Sequence, residues 1–109
     1  MAVSDSILLT PEQHELLLAL IGRFLPDTQV WAFGSRVKGV ARSSSDLDLL
    51  FFIRPEQRSQ LFALHEALEE SALPFRVDLL VWDEIPEHFR ENIQQAYYPL
   101  VSLAAEQNR

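Results

Sequence analysis

The sequence predicts an α/β (α+β) domain, a small mixed three-stranded sheet with helices packed on it, in the order α-β-(α)-β-α-β-α. Three observations carry that reading. Apolar runs at residues 30–33, 46–53 and 75–82 have strand length and are bounded by Gly, Arg-Pro or Pro. Apolar residues around them recur at helical spacing. The segment between the second and third runs has the length of a crossover between parallel strands, while the link from first to second is short and suits an antiparallel pair. With 109 residues, one domain over 1–109 is expected, with 1–9 and 100–109 peripheral.

Thr10-Pro11-Glu12-Gln13 is a helix start: Thr10 caps, Pro11 suits the first helical position, and Gln13 completes a capping box. Leu17, Leu20, Ile21 and Phe24 then form one apolar stripe, and Gly22 reads as a small residue where helix meets sheet. Pro26-Asp27 ends that element. Val30-Trp31-Ala32-Phe33 is the first strand, stopped by Gly34, with one helical turn expected in 35–41 and a polar loop at Ser43-Ser44-Ser45. The second strand, 46–53, is halted by Arg54-Pro55. A helix over about 56–72 follows, with Leu61, Leu64 and Leu68 on its inner face and Pro74 closing it. Residues 75–82 make the third strand. The last helix starts near Pro86, with Phe89, Ile93 and Ala96 inward, and Tyr97-Tyr98-Pro99 breaks it. A frayed helical turn is expected in 100–109.

Composition narrows the function. Apolar content of 48% and charged content of 23% are those of a soluble globular domain. No run reaches a membrane span, the N-terminus lacks a signal-peptide pattern, and there is no cysteine, so a cytoplasmic protein without disulfides or thiolate metal sites is expected. A net charge of −7 disfavours direct nucleic-acid binding, which wants a basic footprint, and suits a positively charged protein partner.

The chemistry concentrates in residues 31–53. Asp46 and Asp48 are two apart on a strand, so they share a face, with β-carbons roughly 6–7 Å apart, while Leu47, Leu49, Phe51 and Ile53 point into apolar packing. Two carboxylates so placed repel, and a hard divalent cation, Mg²⁺ or Mn²⁺, compensates them well. Alone, Asp-x-Asp reads more simply as solvated aspartates. Its neighbours add weight. Gly34-Ser35 follows an apolar strand, where Gly admits close backbone approach and the next N–H groups open a helical turn that suits phosphate. Arg36, Lys38 and Arg42 could neutralise phosphate oxygens, with at least one of them expected to be only a solvated loop cation. Asp78 lies inside an otherwise apolar strand and needs a partner, either a salt bridge to Arg76 or Arg90, or a shared metal. If the third strand runs parallel beside the second, Asp78 comes level with Asp46 and Asp48, and the three suit metal-assisted phosphoryl or nucleotidyl transfer.

At these residues the chain resembles the minimal nucleotidyltransferase (MNT) family of the DNA polymerase beta superfamily. The pattern is carried by Gly34-Ser35, the basic segment Arg36-Val37-Lys38-Gly39, Ser45-Asp46-Leu47-Asp48-Leu49 and Val77-Asp78-Leu79, within a resemblance over roughly residues 10–98. It implies the nucleotidyltransferase fold, ATP as substrate, and nucleotide binding through Gly34, Ser35, Arg36, Lys38 and Ser45. By the same resemblance Asp46 and Asp48 bind Mg²⁺, and Asp78 completes the metal site and helps deprotonate an acceptor hydroxyl. In this family the partner is commonly a HEPN-domain toxin, and the MNT protein, as antitoxin, can adenylylate its tyrosine. No segment is left over to bind an acceptor, so a second chain is expected to supply it, and a homo- or hetero-oligomer is compatible with that.

Two other functions stay open. One is a non-catalytic antitoxin that neutralises its partner by occlusion. The other is nucleotide transfer to a small molecule of aminoglycoside type, with a helical partner completing the pocket. His14, His65 and His88 lack metal-ligand spacing. Trp31 and Trp82 are expected beside the sheet, where Trp82 could stack on a base. Tyr97 and Tyr98 could contribute to a partner surface.

Overall fold

Thr10 opens the first helix of this computed structural model, which describes residues 3–103. Helix α1 spans Pro11–Phe24. The Gln13 N–H donates to Thr10 Oγ1 at 3.1 Å and the Thr10 N–H donates to Gln13 Oε1 at 3.0 Å, so the capping box is closed and two orphan helix donors are satisfied. Leu17 and Ile21 of its apolar stripe are fully buried, each worth roughly 1.5–3 kcal/mol of transfer free energy. Gly22 is exposed, and a β-carbon added there would touch nothing. It lies on the outer side of the helix and not at the sheet, contrary to the sequence reading.

Strand β1 is Val30–Phe33 and is followed by the four-residue helix α2, Ser35–Lys38. Strand β2 is Leu47–Phe51. A 3₁₀ turn at Pro55–Gln57 leads into helix α3, Arg58–Glu69, whose Leu61, Leu64 and Leu68 are buried as their spacing predicts. Strand β3 is Val77–Val81, helix α4 is Glu87–Gln95, and strand β4 is Tyr98–Val101.

The sheet has four strands in the order β3-β2-β1-β4. β2 pairs antiparallel with β1 and parallel with β3, as expected, and β4 adds to β1 antiparallel. The fourth strand corrects the three-stranded expectation. Tyr97-Tyr98-Pro99 does break the helix, but the chain then turns back along β1. Pro99 is tolerated because β4 is an edge, where a missing N–H removes no ladder bond that the sheet needs. Leu100 belongs to the core, so residues 100–101 are not peripheral, and residues 104–109 lie outside the described ones. The segment before α1 is also tied down: Ile7 and Leu9 pack against the core, and the Ser4 N–H donates to the Tyr97 carbonyl at 2.7 Å.

Alternation divides the side chains between two faces. Leu47, Leu49 and Phe51 join Leu17, Ile21, Leu64 and Val77 under α1 and α3. On the other face Trp31 and Leu50 pack with Ile93 of α4 and with Tyr97. Trp31 and Tyr97 stack at 3.9 Å, so Tyr97 is part of this core and does not face outward, while Trp82 stacks on Phe52 at 5.0 Å. Among the described residues, no helix is long and apolar enough to cross a membrane.

Candidate active site

Three strand ends meet at one corner of the α4 face. Antiparallel pairing sets the end of β1 beside the start of β2, and parallel pairing sets the start of β3 on its other side. The register makes Phe33, Asp48 and Asp78 one row across three strands. Asp48 and Asp78 are direct neighbours, and Asp46 lies just before β2. The sequence-predicted acids therefore come together, by pairing between segments 30 residues apart.

Gly34 completes the corner. Its φ of 83° and ψ of −158° lie in a region that is essentially glycine-only. A β-carbon there would stand 2.3 Å from Asp48 Oδ2. Glycine is thus required twice, by the backbone angle and by the carboxylate pressed against it. Its carbonyl accepts the Val37 and Lys38 N–H groups at 3.0 and 3.1 Å, and Ser35 is the first residue of α2.

The electrostatics follow from crowding. Burial, then the neighbouring Asp78 and Asp46 charges, push the Asp48 carboxyl above the usual carboxylate range, and Arg76 only partly opposes them. Arg76 lies just before β3. Its Nη2 donates to Asp46 Oδ2 at 3.0 Å, and its Nε lies 3.2 Å from Asp78 Oδ1. Those two carboxylates hold the guanidinium charged. Of the two salt-bridge partners considered for Asp78, Arg76 is the one used. Arg90 instead donates to the Trp82 carbonyl at 2.9 Å and lies over the Trp82 ring, which leaves that ring covered by Arg90 and Phe52.

Arg36 departs from expectation. It is 4% exposed, and its guanidinium donates to the carbonyls of Leu8 (2.7 Å), Ser45 (2.9 Å) and Ser43 (2.9 Å) while lying 3.8 Å from the Phe75 ring centroid. Its forked donors are engaged by the chain's own backbone, so it staples the 42–45 loop to the N-terminal segment and is not presented to phosphate. A sequence shows an arginine in a basic cluster but not which carbonyls return to it. Ser45 shares this loop role: its Oγ accepts the Arg42 N–H at 2.9 Å, and its own N–H donates to the Arg42 carbonyl at 3.0 Å. Arg42 is exposed. Lys38 is exposed too, and with Gly34, Phe89 and Asn92 it borders a depression of about 230 Å³.

A larger cleft of about 610 Å³ has Asp48 and Asp78 in one wall, with Phe33, Phe89 and Leu80 beside them and Phe62 of α3 at its rim. That volume suits a small-molecule ligand. Phe33 and Phe89, edge to face at 6.1 Å, line both cavities. The donor set is right in kind for a hard cation: oxygen ligands only, with like charges crowded together. Among the described residues, no three potential ligands already converge as a metal-binding group. Two of the acids are turned onto Arg76 instead.

Comparison with known proteins gives this corner a context. The model of the nucleotidyltransferase domain family matches residues 15–101. The "Probable protein adenylyltransferase MntA" of Haemophilus influenzae (strain ATCC 51907 / DSM 11121 / KW20 / Rd) is 46% identical over 89 residues, covering 79% of this chain and 76% of that protein. A solved structure named as a minimal nucleotidyltransferase superposes with a TM-score of 0.63 at 31% identity, covering 81% of this chain and 89% of the other. Two more distant structures share the fold. A toxin–antitoxin with AMP-PNP has a TM-score of 0.66 at 18% identity, covering 87% of this chain and 77% of that one. A complex of tri-AMPylated Shewanella oneidensis HEPN toxin with MNT antitoxin has a TM-score of 0.57 at 17% identity, covering 87% and 74%.

Proposed function

Since the chain belongs to the nucleotidyltransferase domain family, we propose that it transfers AMP from ATP to a hydroxyl of a HEPN-type toxin, as the antitoxin of the pair. The observation that carries this reading is the Asp48–Asp78 register beside Gly34, in a chain 46% identical to a protein named as an adenylyltransferase. The toxin–antitoxin structures of the same fold, one with an ATP analogue and one with an AMPylated HEPN toxin, support the choice of nucleotide and partner.

In this mechanism the Gly34-Ser35 turn holds the triphosphate, with Lys38 at its edge as the exposed cation. Asp46, Asp48 and Asp78 would hold Mg²⁺ or Mn²⁺, which would neutralise their mutual repulsion and offset phosphate charge. The acceptor oxygen forms a bond to the α-phosphorus, the bond to the β-phosphate oxygen breaks, and pyrophosphate departs. Asp78 takes the hydroxyl proton. Phe33, Phe89 and Leu80 give the cleft an apolar wall beside Asp48 and Asp78.

The test is incubation with labelled ATP, Mg²⁺ and a HEPN-type toxin. Label should appear on the toxin, with mass spectrometry finding added AMP, and should vanish with Asp46→Asn or Asp78→Asn. No transfer across several nucleotides and metals would reject the reading. The pairing of Arg76 with two of the acids is the observation favouring the other reading, neutralisation by occlusion alone. That reading requires both Asn variants to neutralise the toxin as well as the native protein does.

A further inference from the structure

We propose that Arg76 is a built-in stand-in for the divalent cation: its guanidinium holds Asp46 and Asp78 in the metal-free protein and is displaced when the cation binds. This rests on the reading of the three aspartates as the cation site and adds a residue that sets its affinity.

Geometry supplies the argument. Arg76 reaches both acids, Nη2 to Asp46 Oδ2 at 3.0 Å, Nε to Asp78 Oδ1 at 3.2 Å and Nη2 to Asp78 Oδ2 at 3.5 Å. A guanidinium and a divalent cation use the same oxygen lone pairs, so full occupation by one excludes the other. Asp48 receives no hydrogen bond from Arg76 and stays turned toward Gly34. Of the three acids, it is the one the guanidinium leaves for an incoming ion.

Position makes the device specific. Arg76 is two residues before Asp78, so both side chains leave the same face of the extended backbone. Its carbonyl accepts the Leu47 N–H at 2.9 Å, which fixes the backbone from which the side chain reaches. No other described cation takes these oxygens. Arg36 is engaged by carbonyls, Arg58 pairs with Glu84, and Arg90 donates to the Trp82 carbonyl. The Arg76 side chain is 66% exposed, so it can swing into water when displaced. The pair is screened and easily opened, which suits a placeholder better than a permanent brace.

The experiment measures binding of Mn²⁺ alone to the full chain, without nucleotide, by the loss of the free-ion electron paramagnetic resonance signal. Arg76→Gln should bind Mn²⁺ about three- to tenfold more tightly than native protein, since two exposed pairs no longer compete. Arg76→Lys should fall between them, because an ammonium cannot bridge both carboxylates. In native protein the Arg76 Nε–H resonance should shift on Mg²⁺ titration, a readout that does not depend on how a variant folds. Equal or weaker Mn²⁺ binding by a folded Arg76→Gln overturns the proposal, as does an unmoved Nε–H signal at saturating Mg²⁺. Absence of Mn²⁺ binding by every variant overturns the cation site itself, and this inference with it. Native binding abolished by Asp48→Asn but unaffected by Arg76→Gln leaves the site and rejects only the displacement.

Discussion

Gly34 and Gly39 offer a matched pair of substitutions that separates backbone strain from damage to the site. Both have positive φ, 83° and 78°. Gly39→Ala places a methyl in open space, and its conformation is ordinary left-handed helix, so the variant should lose roughly 1–2 kcal/mol of stability. Gly34→Ala carries a backbone penalty on the order of 1–3 kcal/mol in its glycine-only region. Its methyl would also stand 2.3 Å from Asp48 Oδ2, so the carboxylate must rotate away at a further ~0.5–1.5 kcal/mol. The expected total is about 1.5–4.5 kcal/mol, measurable by urea denaturation. The activity difference should be larger than the stability difference. A ligand carboxylate displaced on the order of an ångström costs about 100-fold in AMP-transfer rate, while Gly39→Ala should stay close to native. Rates measured on fully folded protein, at a temperature where both variants are intact, make the comparison. Equal transfer rates for Gly34→Ala and Gly39→Ala would refute the claim that Gly34 exists to admit Asp48.

The other expectations concern single charges. Arg36→Lys loses the fork that spans the Leu8, Ser43 and Ser45 carbonyls and should cost about 2–4 kcal/mol by thermal or chemical denaturation; native stability with weakened ATP binding would restore Arg36 to the phosphate site. Lys38→Ala should raise the KM for ATP about three- to tenfold with little change in kcat or melting temperature, since its side chain is exposed beside Gly34. Asp48 titrates higher in the folded protein than in the unfolded chain, so its contribution to stability is present in acid and is lost as pH rises through that raised value. Metal-free Asp48→Asn should therefore melt higher than native protein at neutral pH, with the gap closing toward acid. Melting curves across that range check the sign, and a variant less stable at neutral pH contradicts it.

Much of the fold was legible because its signals are local. Thr10 and Gln13 sit three apart, and a capping box needs nothing else. Leu61, Leu64 and Leu68 mark the inner face of α3 by spacing alone. The strand at 98–101 was hidden because Pro99 is a breaker in every local rule, and only the presence of β1 beside it makes those residues a strand. The outward position of Gly22 needs no neighbour to explain it: helical spacing sets it across the helix from the Leu17, Leu20, Ile21 and Phe24 stripe.

The site divides along the same line. Sequence alone offered two aspartates spaced two apart at the opening of a strand, a glycine turn that ends the strand before them, and a third aspartate in an apolar run. These are consequences of period and residue chemistry over a few positions. Long-range pairing alone could set Asp78 against Asp48, press Gly34 onto the Asp48 carboxylate, withdraw Arg36 into the carbonyls of a loop, and bring Arg76 across two acids. An arginine becomes a backbone staple, as Arg36 does, or a guanidinium lying across two carboxylates, as Arg76 does, according to which oxygens the fold brings within about 3 Å, the reach of a hydrogen bond.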